Sequence, residues 1–396
     1  MNAVDLSVPV SQDASKDVPQ RKTICYPFAG DSIGGSHISL LGLLENLDPG
    51  RFRILIVPEI PDGKIARHFG AFEQLSDPAR PSTSFTPDEA FNPRKYLKTL
   101  AGLPKRIRFL RENGIDLVHS NDGRTHATWS LAARAAGLPL VWHHRADPAA
   151  LGLRFLAPAL ASRVLTVSSF SLPKGKIWSA ADKSQVVFSP FDTSITVDRD
   201  KARAMVLSAA DLPADALILG YIGSFVPRKR PLLFVDAIKE LRARLNRPVF
   251  GLMFGEAVVP EMEQKLRGHI AASGVEDCVK LMGLRTPGHE WIGGCDQLLV
   301  PAISEPLGRT LVEAMLVGTP VVATSSGGNP EALAGHTGHL VEPESAAALA
   351  SGAELLLNNP AETEQMVKRA AVSARDRFGI QRHTQSVTQV YETLLD

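Results

Sequence analysis

The sequence predicts an α/β protein of two Rossmann-like, doubly wound domains facing across a cleft, and three observations carry that prediction. The chain has 396 residues, more than one ordinary domain needs. Short runs rich in Val, Ile and Leu recur between longer amphipathic stretches: TICYP, RILIV, IDLVHS, LPLVWHH and SRVLTVS in the first half, LILGYIG, VFGLMFG, CVKLMG, DQLLVPA and PVVATS in the second. That is the rhythm of βαβ units on a parallel sheet. Finally, a block repeats. Gly114-Ile115-Asp116 opens one strand and Gly137-Leu138-Pro139 the next, 21 residues from Asp to Gly, while Gly294-Cys295-Asp296 and Gly318-Thr319-Pro320 do the same over 22. Ligands of such sheets bind beyond the carboxyl ends of the strands, so the loops at His119 to His126 and Pro301 to Arg309 are expected to carry the site.

In chain order, residues 1–20 read as a flexible tail, with no basic stretch followed by an apolar run and hence no signal peptide. A first domain is expected over 21–192. The segment SPFDTSITVDRD interrupts the pattern near residues 190 to 200, and a second domain follows over 193–375. From about Ala361 to Leu395 the pattern is helical with a break near Phe378-Gly379, and the last piece, 376–396, is expected to pack back on the first domain. Hydrophobic residues at 44% and charged residues at 21% exclude wholesale disorder. A net charge of +1 and 6% aromatic residues argue against a nucleic-acid partner. Cys25, Cys278 and Cys295 lack zinc-like or redox spacing and fit a reducing compartment. No apolar run is long enough to span a bilayer, so the expected location is the cytoplasm or the inner face of its membrane.

The most informative segment is PAISEPLGRTLVEAMLVGTPVVATSSGGNPE, residues 301–331. Glu305 to Gly308 read as the start of a helix that continues from Arg309 until Gly318 stops it. A helical rise of about 1.5 Å per residue would separate Glu305 from Glu313 by about 12 Å. That exceeds the spacing of a glycosidase carboxylate pair, at most about 9.5 Å. It suits an elongated ligand with hydroxyls at both ends and a phosphate held between them by the helix N-terminus. A second segment, Gly220 to Pro231, places Arg228 and Lys229 between a strand and a helix, where cations pair with a diphosphate. A third, Ala29 to His37, is glycine-rich, and Gly34 and Gly35 let backbone approach a ligand closely.

With these segments in this order, the chain from Lys22 onward resembles the retaining glycosyltransferases of family 4, which have the GT-B fold. The resemblance implies that Glu305 holds hydroxyls of the donor sugar, helped by backbone amides of Leu307 and Gly308, and that Glu313 takes the ribose hydroxyls of the nucleotide. Arg309 and Thr310 lie within the same donor-binding stretch. Members of the family commonly carry Gly-Arg where this chain has Gly223-Ser224, so Arg228 and Lys229 are left to meet the diphosphate. Trp142-His143-His144-Arg145 ends a strand where the family often has a functional His near the reactive carbon; either Arg145 or an adjacent His takes that contact. Asn121, Asp122 and His143 are acceptor-side candidates.

The implied reaction moves a sugar from a nucleoside diphosphate sugar to a hydroxyl of a glycan or lipid-linked acceptor with retention, in cell-envelope assembly. It needs no cofactor, metal or protein base, since a leaving phosphate oxygen takes the acceptor proton. Residues 93–111, with seven Lys or Arg, no acid and interleaved apolar residues, could meet an anionic bilayer. Two alternatives stay open: a nucleotide-sugar epimerase of related architecture, and a catalytically silent binding member.

Overall fold

The computed structural model describes residues 21–80, 93–175 and 177–396; the expected tail, 1–20, lies outside them, as do the side chains of Pro93, Lys95, Tyr96 and Thr99. The first sheet comprises β1 (Lys22–Pro27), β2 (Phe52–Val57), β3 (Glu73–Gln74), β4 (Leu117–Ser120), β5 (Leu140–His144), β6 (Arg163–Thr166) and β7 (Ser184–Val186), in the order β3-β2-β1-β4-β5-β6-β7. The second comprises β8 (Leu217–Ile222), β9 (Val249–Phe254), β10 (Val279–Gly283), β11 (Gln297–Val300), β12 (Val321–Thr324) and β13 (His339–Val341), in the order β10-β9-β8-β11-β12-β13. Paired strands run parallel throughout. Both sheets are the doubly wound, Rossmann-like arrangement that the apolar runs predict. The strand order reverses between β1 and β4 and again between β8 and β11, so each domain has its switch point where the candidate site loops leave the sheet.

Helices cover both faces of each sheet, which is why β4, β5, β11 and β12 are buried along their whole length. In the first domain Phe28, Leu40 and Phe69 pack one face and Trp129, Trp142 and Leu153 the other. In the second, Phe234, Ile238 and Met253 oppose Leu298, Leu311 and Met315.

The repeated block has a structural reason. The carboxylate of Asp116 accepts the amide of Thr23 at 2.8 Å, and that of Asp296 accepts the amide of Ile218 at 2.7 Å. In the same registers the Asp116 and Asp296 amides donate to Thr23 and Ile218 carbonyls, each at 2.9 Å. Each aspartate therefore satisfies an otherwise unpaired donor at the start of its sheet's central strand. The following helices, Gly123–Ala136 and Arg309–Val317, both end on a left-handed glycine, Gly137 at φ 82° and Gly318 at φ 77°, the conformation a glycine adopts without steric cost.

Between the sheets the chain passes Phe191, whose amide donates to the Phe378 carbonyl at 2.8 Å. The expected C-terminal helical stretch is two helices, Pro360–Phe378 and Ile380–Leu395, divided at Gly379. The second contributes Val387, Val390 and Tyr391 to the first domain's core, each such burial stabilising by about 1.5–3 kcal/mol. All three cysteines are buried free thiols.

Candidate active site

The second domain's half of the site is built at the carboxyl ends of β8 and β11. After β8 the chain turns through Gly223 at φ 143° into a single 3-10 turn, Pro227–Lys229. The amide of Ile303 donates to the Arg228 carbonyl at 2.9 Å and ties this loop to the one after β11. There Glu305 is only 9% exposed; its carboxylate pairs with the Arg228 guanidinium and lies 3.9 Å from Lys229 Nζ. Close packing holds it in place. A Cβ on Gly327 would lie 2.4 Å from the Glu305 carbonyl oxygen, and one on Gly328 2.2 Å from that of Pro306, so the Gly-Gly of SSGGNPE is what lets the loop after β12 seat against the acid.

The helix Arg309–Val317 begins at Gly308, which supplies no side-chain cap. Its first amides are therefore unsatisfied and its end carries partial positive charge. Gly308 and Thr310 face a narrow recess shared with Lys229 and Glu305, and Leu307 is buried beside it. Two cations, a free helix N-terminus and a carboxylate thus converge, an arrangement suited to a diphosphate with a hydroxylated group attached. One expectation is corrected: Glu305 precedes the helix, in a turn where Ser304 has φ 49°, so helical rise does not measure its distance from Glu313. Glu313 sits in the helix's second turn, where burial raises its pKa against the opposing pull of Arg309, whose nearest nitrogen is 3.9 Å away. Its carboxylate borders Gly288, the first residue of the helix Gly288–Gly293 that follows β10.

The first domain's half comes from the ends of β1, β4 and β5. Gly34 precedes the helix Gly35–Leu44 in extended backbone, with its amide donating to His37 Nδ1 at 3.2 Å. A Cβ on Gly35 would lie 2.9 Å from Arg309 Cδ. The expectation that Arg309 serves the donor is corrected in part: its Nη1 donates to Ser39 Oγ at 2.9 Å and its guanidinium stands 4.3 Å from the Phe191 ring. Arg309 is a strap between the domains. Asn121 lines the cleft and is nearly fully buried, and both polar atoms of its amide lack a partner, which marks it for a ligand. Asp122 lines the cleft as well, and it also caps the helix Gly123–Ala136, accepting the amides of Arg124 and Thr125 at 2.9 and 3.0 Å, so its carboxylate is partly committed to the fold.

The segment ending β5 divides similarly. His144 lines the cleft, its Nε2 3.0 Å from the Asp147 carbonyl, and burial lowers its pKa so that it is neutral. Arg145 also lines the cleft; it donates to Ser189 Oγ at 3.0 Å, has an unpartnered Nε and, among the described residues, no carboxylate partner. Burial and the neighbouring Arg309 push its pKa down to about 9, so it still carries charge at neutral pH. His143 is not an acceptor contact. It is fully buried, 3.2 Å from His119 Nε2, within a chain that continues from His119 Nδ1 to the Tyr391 hydroxyl at 2.5 Å and on to Tyr26 at 2.7 Å. Sequence reasoning passed over Ser39 and this network; partners so distant in the chain leave no local pattern.

The two halves enclose a cleft of about 840 Å³. No cluster of His, Cys, Asp or Glu among the described residues could hold a metal ion, and no helix there is long and apolar enough to cross a membrane. The bilayer expectation for 93–111 is corrected in part. Arg106 turns inward to Asp77 at 2.8 Å, both side chains almost wholly buried, and Leu103, Ile107, Phe109 and Leu110 pack toward the core.

Known proteins resemble the chain in sequence and in fold. The family profile described as Glycosyl transferases group 1 matches residues 208–373. The chain is similar to a D-inositol 3-phosphate glycosyltransferase of Streptomyces scabiei, 30% identical over 317 residues, 71% of this chain and 68% of that protein. The namesake of Streptomyces coelicolor is 35% identical over 204 residues, 48% of this chain and 43% of its own length; the match thus spans less than half of that relative. Among solved structures, Anabaena Alr3699/HepE in complex with UDP-glucose superposes with a TM-score of 0.76 at 22% identity, over 94% of this chain and all of that one, a likeness of GT-B fold.

Proposed function

The chain belongs to the group 1 glycosyltransferases, and from that premise we propose that it transfers a sugar from a nucleoside diphosphate sugar to an acceptor hydroxyl with retention of configuration, in the manner of family 4 enzymes. The observation that carries this reading is the convergence of Glu305, Arg228 and Lys229 on the uncapped start of the helix Arg309–Val317, at the mouth of the interdomain cleft. Lys229, Arg228 and the helix amides stabilise the diphosphate as it leaves. Glu305, freed from Arg228 when the phosphates arrive, aligns the sugar, and Glu313 receives the ribose. The bond from the anomeric carbon to the diphosphate breaks while the acceptor oxygen bonds to the same face, and a leaving phosphate oxygen takes the acceptor proton. His144 is held neutral beside the cleft and Arg145 keeps a charged guanidinium there without a carboxylate, so Arg145 is the one poised to meet negative charge near the reactive carbon. No cofactor or metal enters this scheme. The acceptor is a hydroxylated molecule of cell-envelope glycan or glycolipid assembly, approaching past Asn121.

The test is calorimetric titration with UDP, GDP, ADP and CMP, followed by turnover of the sugar form of whichever binds and NMR of the product's anomeric proton. Binding of one diphosphate, with a product of retained configuration, supports the reading. Conversion of the nucleotide sugar without acceptor would replace it with an epimerase, and absence of binding at millimolar ligand with a silent member.

A further inference from the structure

The acceptor wall of the cleft runs outward into an apolar rim. Past β5 a π-helical turn, Gly152–Leu156, packs Leu153 and Leu156 inward with Trp142 and leaves Leu151 and Phe155, four residues apart, half exposed at the cleft. Trp178 joins them, its Nε1 donating to the Phe155 carbonyl at 3.3 Å, and Ile177 beside it is fully exposed. Phe155 is 55% and Trp178 59% exposed, large apolar area for a surface with no role in folding. The charge in this stretch is basic in balance: residues 147–183 hold five Lys or Arg against two acids, Asp147 and Asp182. Arg154 lies 5.4 Å from the Phe155 ring and Lys174 5.6 Å from the Phe170 ring. Half-exposed aromatics, an aliphatic tip and cations whose stems lie along the rings are the composition that settles at the headgroup level of an anionic bilayer. A soluble glycan would find few hydrogen-bonding groups on this rim.

We propose that an anionic lipid surface presents the acceptor, with Leu151, Phe155, Ile177 and Trp178 inserted at headgroup level, so that the acceptor hydroxyl enters the cleft from the bilayer. This rests on the glycosyltransferase reading for the identity of the guest, and it assigns membrane contact to this rim rather than to residues 93–111.

The experiment is flotation of the full chain with vesicles of phosphatidylglycerol and phosphatidylcholine, against phosphatidylcholine alone, for the wild type, Ile177→Asp and Phe155→Ser, with UDP affinity measured in parallel. The expected result is salt-sensitive binding to the anionic vesicles that Ile177→Asp weakens about tenfold or more, through lost apolar burial, with UDP affinity unchanged. Because Ile177 is fully exposed, its replacement leaves the fold intact and the test stands if Phe155→Ser does not fold. A wild type that stays in the aqueous phase, equal binding by Ile177→Asp, or a wild-type dimer that Ile177→Asp dissolves would each overturn the proposal, the last by placing a second copy on the rim. Failure of the wild type to bind UDP strikes the donor reading alone, and the vesicle result still decides the rim.

Discussion

Arg309 donates to Ser39 Oγ at 2.9 Å across the cleft, with its guanidinium over the Phe191 ring at the domain junction. The first residue of the helix that faces the donor is thereby tied to the first domain. Replacing Ser39 with Ala removes one partner of a buried charged donor and is expected to cost about 1.5–3 kcal/mol, less whatever the Pro190 carbonyl, 3.4 Å away, recovers. Arg309→Ala should cost more, since the ring contact goes too. Urea denaturation reads both; an unchanged midpoint for Ser39→Ala would show that the contact bears no stability.

Gly223 separates two classes of glycine. A Cβ there would sit 2.9 Å from Lys229 Nζ, at a φ of 143° that costs an L-residue about 1–3 kcal/mol. Gly223→Ala is expected to push Lys229 off its position beside Glu305 and to weaken UDP binding at least tenfold. Gly268→Ala meets open space on the helix Pro260–Ser273, which contributes nothing to the cleft, and should leave UDP affinity unchanged. Calorimetry on the pair tests the contrast, and equal affinities would remove Lys229 from the diphosphate site.

Legibility in the sequence followed the range of the interaction. The alternation of apolar runs disclosed both sheets, because a strand buried on two faces must be apolar throughout, and the repeated Gly-x-Asp disclosed that the two halves are built alike. The convergence of Glu305 with Arg228 and Lys229 was legible through the resemblance. The separate uses of adjacent polar residues were not: Asn121 is unpartnered at the cleft while Asp122 caps a helix, and His144 faces the cleft while His143 faces inward, distinctions that a strand's alternation sets only once its register is known. Ser39 and Tyr391 meet partners hundreds of positions away, and no local pattern encodes that.

Glu313 carries a charge whose burial the apo protein does not fully compensate. Its folded pKa is raised, so the folded state binds the proton more tightly than the unfolded chain, and the penalty is present above the folded pKa and disappears as pH falls below the unfolded one. Glu313→Gln is therefore expected to raise apo stability at neutral pH while weakening UDP by about 1.5–3 kcal/mol, the worth of a charged hydrogen bond. Opposite signs in thermal melting and calorimetry are the signature; parallel losses would indicate a structural role.

The buried histidines set an acid limit on the fold. His119, His143 and His383 have pKa values lowered by burial and by the nearby Arg145 charge, His383 to about 3. Arg145, His126 and the hydroxyls of Tyr391 and Tyr26 face this chain, together with the Phe188 carbonyl 2.6 Å from His383 Nδ1. Because the unfolded chain takes up these protons near pH 6.5 and the folded one does not, stability is complete above pH 6.5 and falls as pH drops. The loss is about 1.4 kcal/mol per pH unit for each histidine. Urea midpoints between pH 7 and 5, above the range where carboxylates dominate, should fall steeply in the wild type. His383→Phe, which keeps a ring in the stack, should remove one proton's worth of that slope, even though it forfeits the Phe188 contact and lowers stability at pH 7. An identical slope in the variant would show that His383 is protonated within the fold and that the chain from Tyr26 to His143 is not sealed from acid.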